Sequence, residues 1–328
     1  MSSTKNIRYK DSIREIVNYL SYVKASSWRF PTLYKEDYFA WKIQKNPFGN
    51  SFCYLRYVDK IAVAHSSITA KPLNPDLGFG TACAELGDTH THPNFQNQGH
   101  FGAVGLQVIQ EFDAAQKNEA VIFGIPNENA VRGWQTRCNC ELLDFLNVSE
   151  FFLNRRLNFP FGKTSTLQKI NSPNEIKKSI NEIWSKTYKS KRSLYKKDSN
   201  WWEWRYNQCP EKYDFFALFS KEGVLKSYLI AKFTRNFIFS HIDICDIVGV
   251  DEDSELGIFD NFLNKFRKSF SKTRVWAKRD SRLHSALLDA GFNLNKKINF
   301  VIYKNKILQN FTNNKISFEL ALGDTDNT

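Results

Sequence analysis

The chain has 328 residues, with 46 basic against 34 acidic side chains, a net charge of +12 and a pI near 9.3. Hydrophobic residues make up 42% and charged residues 24%, which excludes a disordered or fibrous chain and predicts two domains of about 160 residues. No run approaches the roughly 18 to 20 apolar residues of a membrane helix. The opening MSSTKNIRYKDSIREI lacks an apolar signal core, so a cytoplasmic chain without membrane insertion is expected.

Aromatic residues reach 15%, 28 Phe among them, a supply large enough for substantial cores. In chain order, YFAWKIQKNP (38–47) precedes a strand-like run, SFCYLRYVDKIAVAHSSITA, that reads as a hairpin broken at Val58-Asp59-Lys60. The strand AELGDTHTH follows, then the helical LQVIQEFDAAQ, the buried strand AVIFGI, a second helix and a final strand. This order then recurs. NWWEWRYNQCP (200–210) echoes the first segment, with Trp41–Trp204 and Pro47–Pro210 both 163 residues apart. A second hairpin breaks at Lys221-Glu222-Gly223, and HIDICDIVGV pairs Glu85 with Asp243 and Asp88 with Asp246 at a spacing of 158.

The pattern predicts an α/β chain, a mixed sheet flanked by helices, built twice: domains 1–160 and 173–322, joined by a Pro-, Gly-, Ser- and Thr-bearing linker at 161–172. Six cysteines (Cys53, Cys83, Cys138, Cys140, Cys209, Cys245) lie mostly in apolar runs and read as reduced structural thiols.

The segment THPNFQNQGHFGAVGLQVIQEF (91–112) carries chemistry. A strand ends at a Pro-containing turn, and a loop with Gly99 and Gly102 opens directly into a helix. The first N–H groups of a helix have no intrahelical acceptor and its dipole is positive there, which makes such a junction an anion site. Glycine lets a phosphate approach the backbone.

HPNFQNQGHFGAV resembles the acetyl-coenzyme-A fingerprint of the GNAT acyltransferase superfamily, Arg/Gln-x-x-Gly-x-Gly/Ala. Gln96 and Gly99 match it; Phe101 stands where the second Gly is usual, with Gly102 just after. IPNENAVRGW resembles the superfamily's Asn-x-x-Ala helix start, with Asn127 and Ala130 matching and Asn129 a second amide nearby. The resemblance implies two GNAT-like domains in tandem, acyl-coenzyme A as co-substrate and no metal. The coenzyme-binding positions it implies are Thr89, Thr91, Gln96, Gln98, Gly99, His100, Phe101, Gly102, Asn127 and Asn129. FAWKIQKNPFGNS and WWEWRY are similar to the tandem-domain group that acylates amino sugars on nucleotide carriers, such as dTDP-amino sugars for O-antigen and lipopolysaccharide. That likeness implies a nucleotide-linked amino sugar as acceptor. Two polyanionic substrates then account for the positive charge without nucleic acid.

The second half differs at the matching junction. VGVDEDSELGIFDNF carries Asp251, Glu252, Asp253, Glu255 and Asp260 with a single Gly257. Acidic groups at a helix N-terminus repel a pyrophosphate, so this half is expected to keep the fold, lose the coenzyme site and help form the acceptor cleft.

N-acylation of an ammonium requires a base. The strand before the loop offers Glu85, Asp88 and His90 as catalytic candidates, with His92 a turn residue. On strict alternation Asp88, His90 and His92 share one face and Glu85 the other; a bulge, usual here in the superfamily, changes that assignment. Glu85 resembles the base carboxylate of several members; its alternative is an ion pair with a lysine. Asp88 and His90 are alternatively satisfied structural groups, and Asp88, His90 and His92 lack the further ligands of a metal site. Backbone N–H groups around 89–91 suit a thioester carbonyl. The usual superfamily Tyr acid falls at Trp134, which donates no comparable proton. Trp204, Arg205, Tyr206 and Lys197 offer a cation beside stackable rings for the acceptor; the alternative is core, because Trp41 occupies the matching place. Two rival readings are an aminoacyl-tRNA-dependent ligase of the peptidoglycan type and a non-enzymatic nucleic-acid-binding protein.

Overall fold

The computed structural model describes residues 2–7, 13–24, 35–78, 80–143, 148–153, 167–171, 173–187, 189, 193–235, 240–266, 270–308 and 319–325. The first half opens with β1 (Ser2–Ile7), α1 (Ile13–Lys24) and α2 (Glu36–Phe39), which runs into a π-helical turn, Ala40–Gln44. Helix α1 buries Ile13, Ile16 and Leu20, one stripe at helical spacing. β2 (Phe52–Val58) and β3 (Ile61–Lys71) form the expected hairpin, turned by Asp59 and Lys60 at positive φ (47° and 68°). Such paired left-handed residues match the strand twist. β4 (Ala82–Thr91), α3 (His100–Ala115), β5 (Ala120–Gly124), α4 (Glu128–Arg137), β6 (Cys140–Leu142) and β7 (Val148–Leu153) follow.

The second half repeats the order: β8 (Gln168–Ile170), α5 (Lys177–Lys186), α6 (Ser199–Trp202) with a second π-helical turn at Glu203–Asn207, β9 (Asp214–Phe219), β10 (Leu225–Arg235) and β11 (Ser240–Gly249). Then come α7 (Glu252–Phe266), β12 (Lys272–Lys278), α8 (Arg282–Asp289), β13 (Asn293–Lys297) and β14 (Val301–Tyr303). β8 falls inside the stretch expected as linker; residues 161–166 and 172 of that stretch lie outside the described residues.

Two mixed seven-stranded sheets result, ordered β1-β2-β3-β4-β5-β14-β6 and β13-β7-β12-β11-β10-β9-β8. Each is antiparallel apart from one parallel pair, β4–β5 in the first and β11–β12 in the second. Strand β7 of the first half sits between β12 and β13, and β14 sits between β5 and β6. A reading that builds one sheet from each half misses this exchange. Both strands are short and apolar, and alternation says which face a strand buries, not which sheet it joins. The exchange ties the halves together: each sheet is completed by a strand of the other.

Three cores fill the fold. Val104, Val108, Ile109 and Phe112 of α3 pack on the first sheet, and Ile258, Phe259, Phe262 and Leu263 of α7 pack on the second. The third core lies between the halves. There the Trp41 and Trp204 rings stack at 4.6 Å and 18°. Each indole donates to the other residue's carbonyl, at 2.8 Å from Trp41 and 3.5 Å from Trp204. The repeated residues therefore pack against their own copies. All six cysteines are buried, and none of them is in a disulfide. No helix among the described residues is long and apolar enough to cross a membrane.

Candidate active site

β4 and β5 pair in parallel from Ala82/Ala120 to Leu86/Gly124, and β4 then continues alone beside β3. A fork opens between them. Just beyond it the β3–β4 register shifts, so that Asp88 and Thr89 together oppose Ser66. Asp88 takes φ 49°, a left-handed conformation usually filled by Gly at such a bulge.

Side chains from β3 fix the bulge. His65 Nδ1 donates to the Asp88 carbonyl at 2.7 Å, and the Ser66 and Thr89 hydroxyls lie 2.8 Å apart. The Ser67 hydroxyl reaches the Gly87 carbonyl at 3.0 Å and Asp88 Oδ2 at 3.1 Å. From the first π-helical turn, Lys42 places Nζ 2.7 Å from Asp88 Oδ2. The Lys42 side chain is fully buried, whereas that of Asp88 is 16% exposed, so the carboxylate reaches the surface and the cation stands behind it. Burial pushes the His65 pKa down to about 4, opposed only in part by the Asp88 carbonyl and carboxylate. The ring is therefore neutral. Sequence reasoning missed Lys42, His65 and Ser67; the available signal was the basic residue after the repeated tryptophan, Lys42 after Trp41 and Arg205 after Trp204.

Glu85 lies before the fork, where β4 still pairs with Phe123 of β5. Its carboxylate sits 2.9 Å from Lys71 Nζ, and both side chains are buried. The same ammonium lies 5.5 to 5.9 Å from the ring centroids of Tyr195, Trp201 and Trp204. Glu85 thus takes the ion-paired alternative and belongs to the core between the halves. His90 is half-buried beyond the bulge, its carbonyl accepting from the Tyr19 hydroxyl at 3.3 Å. His92 caps the following turn, Nδ1 accepting from the Asn94 N–H at 3.1 Å, and its ring stacks on Tyr22.

The loop that follows is open. Gln96, Asn97, Gln98 and Gly99 are exposed, with Asn97 and Gly99 at φ 62° and 81°. Gly99 precedes α3 without a side-chain cap, and no acid lies in the first turn of that helix. The first amides therefore offer N–H groups and a positive dipole end to an external anion. A Cβ on Gly99 would meet nothing within 4 Å, whereas one on Gly102 would lie 2.7 Å from Arg137 Cβ. Gly102 is small because α4 crosses there. The Phe101 ring also turns to α4, 5.1 Å from the ring of Trp134. At both positions only the backbone is left to serve a ligand. The His100 ring turns to Arg56, whose Nε donates to Nδ1 at 3.1 Å; burial first and the guanidinium second lower its pKa. Asn127 caps α4, its side chain accepting from the Ala130 N–H at 3.0 Å, and Asn129 is exposed beside it.

The residues expected to bind the acceptor lie elsewhere. Trp204, Arg205, Tyr206 and Lys197 are all buried. Arg205 donates to the carbonyls of Gly323 (2.8 Å) and Thr325 (3.0 Å) and to the Tyr213 hydroxyl (2.7 Å). Lys197 lies between Asp246 (3.1 Å) and Asp324 (2.7 Å). These buried cations are paired within the chain, partly with the segment 319–325 and partly with Tyr213 and Asp246. The second half forks after Asp243/Arg274, and a cavity of about 50 Å³ remains there, bordered by Lys189, Ser193, Lys197 and Leu320. At the start of α7 the Glu255 carboxylate accepts from the Gly249 N–H at 3.1 Å and pairs with Lys189 at 3.1 Å. That junction already holds an anion, supplied by the protein.

Comparison with solved structures identifies the architecture. A tandem GNAT protein from the clavulanic acid biosynthesis pathway superposes with TM-score 0.64 over 93% of this chain and 98% of its own, at 11% identity. The chain has the GNAT fold, twice over. A GCN5-related N-acetyltransferase from Anabaena variabilis matches with TM-score 0.63 over 92% of this chain and 72% of its own, at 14% identity. Saccharomyces cerevisiae N-myristoyltransferase, solved with bound myristoyl-CoA, matches with TM-score 0.59 over 92% and 78%, at 12% identity. No protein-family model matches the chain, and neither does any curated protein sequence.

Proposed function

We propose that the chain is an acyl-coenzyme-A-dependent N-acyltransferase acting in the cytoplasm on the amino group of a nucleotide-linked amino sugar. The observation that carries this reading is the bulged fork of the first half leading into an exposed, acid-free helix start at Gly99. The pyrophosphate is assigned to Gln96, Gln98, Gly99 and the backbone N–H groups of His100, Phe101 and Gly102. Thr89, Thr91, Asn127 and Asn129 are assigned to the rest of the coenzyme, which supplies the activated acyl thioester.

Asp88 is assigned as the base because its carboxylate lies beyond the fork and reaches the surface, unlike that of Glu85. The acceptor class rests on the likeness of FAWKIQKNPFGNS and WWEWRY to transferases of amino sugars. Calorimetric titration with coenzyme A, acetyl-coenzyme A and 3-hydroxybutanoyl-coenzyme A tests the first part. Thiol release with a panel of dTDP- and UDP-amino sugars tests the second. Tight binding and amine-dependent thiol release are expected. Absence of binding by any coenzyme A overturns the reading, and stabilisation by aminoacyl-tRNA instead replaces it with a ligase.

A further inference from the structure

The motif around Trp41 has a part that the coenzyme site does not use. We infer that Lys42 is a positioning residue that holds the Asp88 carboxylate in place to take the proton of the acceptor ammonium, an inference resting on the transferase reading above. The π-helical turn at Ala40–Gln44 brings Lys42 under the bulge, fully buried, with Nζ 2.7 Å from Asp88 Oδ2. Gly87 lets it in: a Cβ there would lie 3.2 Å from the Lys42 ammonium. A buried ammonium is stable only when paired and hydrogen-bonded, so the position of Asp88 and the burial of Lys42 depend on each other.

The repeat supports the assignment independently. The residue after the second tryptophan, Arg205, also lies on a π-helical turn, Glu203–Asn207, and is also buried. In the second half the register shift adds Cys245 opposite β10, and Arg205 grips the carbonyls of Gly323 and Thr325 in the segment packed on it. Both halves thus carry a buried cation on the same turn. Only in the first does it face a carboxylate that reaches solvent.

The chemistry balances as follows. Asp88 accepts a proton from the acceptor ammonium, leaving a neutral amine. The nitrogen lone pair forms the C–N bond to the thioester carbonyl, the C–S bond breaks, and the departing sulfur takes the second nitrogen proton through solvent. The proton on Asp88 then passes to water. Other ionisable groups facing Asp88 are His65 on β3, held neutral by burial, and Cys53 on β2, whose thiol burial keeps protonated. Lys42 is the cation against it.

The test compares wild type with Lys42→Met, Lys42→Arg and Asp88→Asn. The side-chain carboxyl ¹³C titration of Asp88, assigned by its loss in Asp88→Asn, is recorded alongside coenzyme A affinity and the pH profile of thiol release. In Lys42→Met the Asp88 midpoint and the acid limb of kcat/KM are expected to rise by about one pH unit or more. Coenzyme A affinity is expected to stay within about twofold, and Lys42→Arg to restore most of the limb. A purely structural lysine would lower the melting temperature and leave both midpoints unmoved, which overturns the inference. Where no acceptor turns over, equal Asp88 midpoints in wild type and Lys42→Met overturn it alone; should the methionine variant not fold, a wild-type Asp88 midpoint at or above the ordinary carboxylate value of about 4 overturns it. Loss of all coenzyme A binding by wild type sinks the transferase reading instead, so the two failures are distinguishable.

Discussion

The two halves share a fold and differ at the helix start after the fork and at the surface over the bulge. In the first half, Gly99 opens α3 without an acid in the first turn, and the loop before it is exposed. In the second, Glu252, Asp253 and Glu255 occupy the first turn of α7, and Glu255 already bonds the Gly249 N–H. Burial raises the Glu255 carboxyl pKa, and Lys189 beside it offsets part of that. A pyrophosphate would have to displace an anion there, whereas at the start of α3 it would meet no acidic side chain in the first turn. The lesson is that the two halves share a scaffold, and a few side chains decide which of them leaves its helix start open to an external anion.

The comparison breaks most sharply if the halves come apart. Trp204→Ala removes one ring of the reciprocal stack and should lower stability by about 3–5 kcal/mol. Trp41→Ala should cost a similar amount, and the double variant less than the sum, because the rings touch. Urea unfolding followed by far-UV circular dichroism and fluorescence checks this. Exchange of β7 and β14 predicts coincident curves in wild type; two separated transitions would show halves that fold independently.

Acid separates the halves by charge. His65 binds a proton at about pH 4 when folded and near 6.5 when unfolded, so below pH 6.5 the unfolded state takes up more protons. Stability is fully present above pH 6.5 and falls as the pH drops towards 4, by on the order of 3 kcal/mol. β10, the strand matching β3, contains no histidine. His65→Gln should therefore flatten the dependence of the denaturation midpoint between pH 7 and 4.5; an unchanged slope would assign the acid sensitivity elsewhere.

Much of this architecture was legible, and for identifiable reasons. Equal spacing of Trp41 and Trp204 marked the repeat, and the structure stacks those two residues on each other. Hairpin breaks and the strand-to-helix junction at Gly99 follow from turn chemistry that acts locally. The exchange of β7 and β14 was not legible, since a short apolar strand carries no mark of the sheet it will join. Lys42 was overlooked and Arg205 was offered to the acceptor because charged residues are usually solvated, and only tertiary packing shows a cation buried on a partner. Gly102 looked like a phosphate glycine; its constraint comes from Arg137, 35 residues further along the chain.

That last distinction sharpens at the level of single glycines. Gly102→Ala should destabilise by about 1–3 kcal/mol through overpacking against α4 and leave coenzyme A affinity intact in the folded protein. Gly99→Glu has room for its side chain and should cost about 1 kcal/mol for the left-handed backbone, yet abolish coenzyme A binding by placing an anion where the second half has Glu255. Normal affinity in Gly99→Glu, measured by calorimetry, would move the anion site away from this helix.

The smallest effect makes the most direct test of what each half retains. Asn127 caps α4 by accepting from the Ala130 N–H, and Ser281 caps α8 by accepting from the His284 N–H at 3.1 Å. The two caps are structural equivalents on the last helix of each half. Removing either with alanine should therefore cost about 1 kcal/mol, seen as a shift in the melting temperature. Ligand affinity should distinguish them. Asn127 stands beside the first fork, so Asn127→Ala should also weaken coenzyme A binding, whereas Ser281→Ala should leave it unchanged. Equal affinities in the two variants would confine Asn127 to capping, and the coenzyme would then be held by the loop before α3 without help from α4.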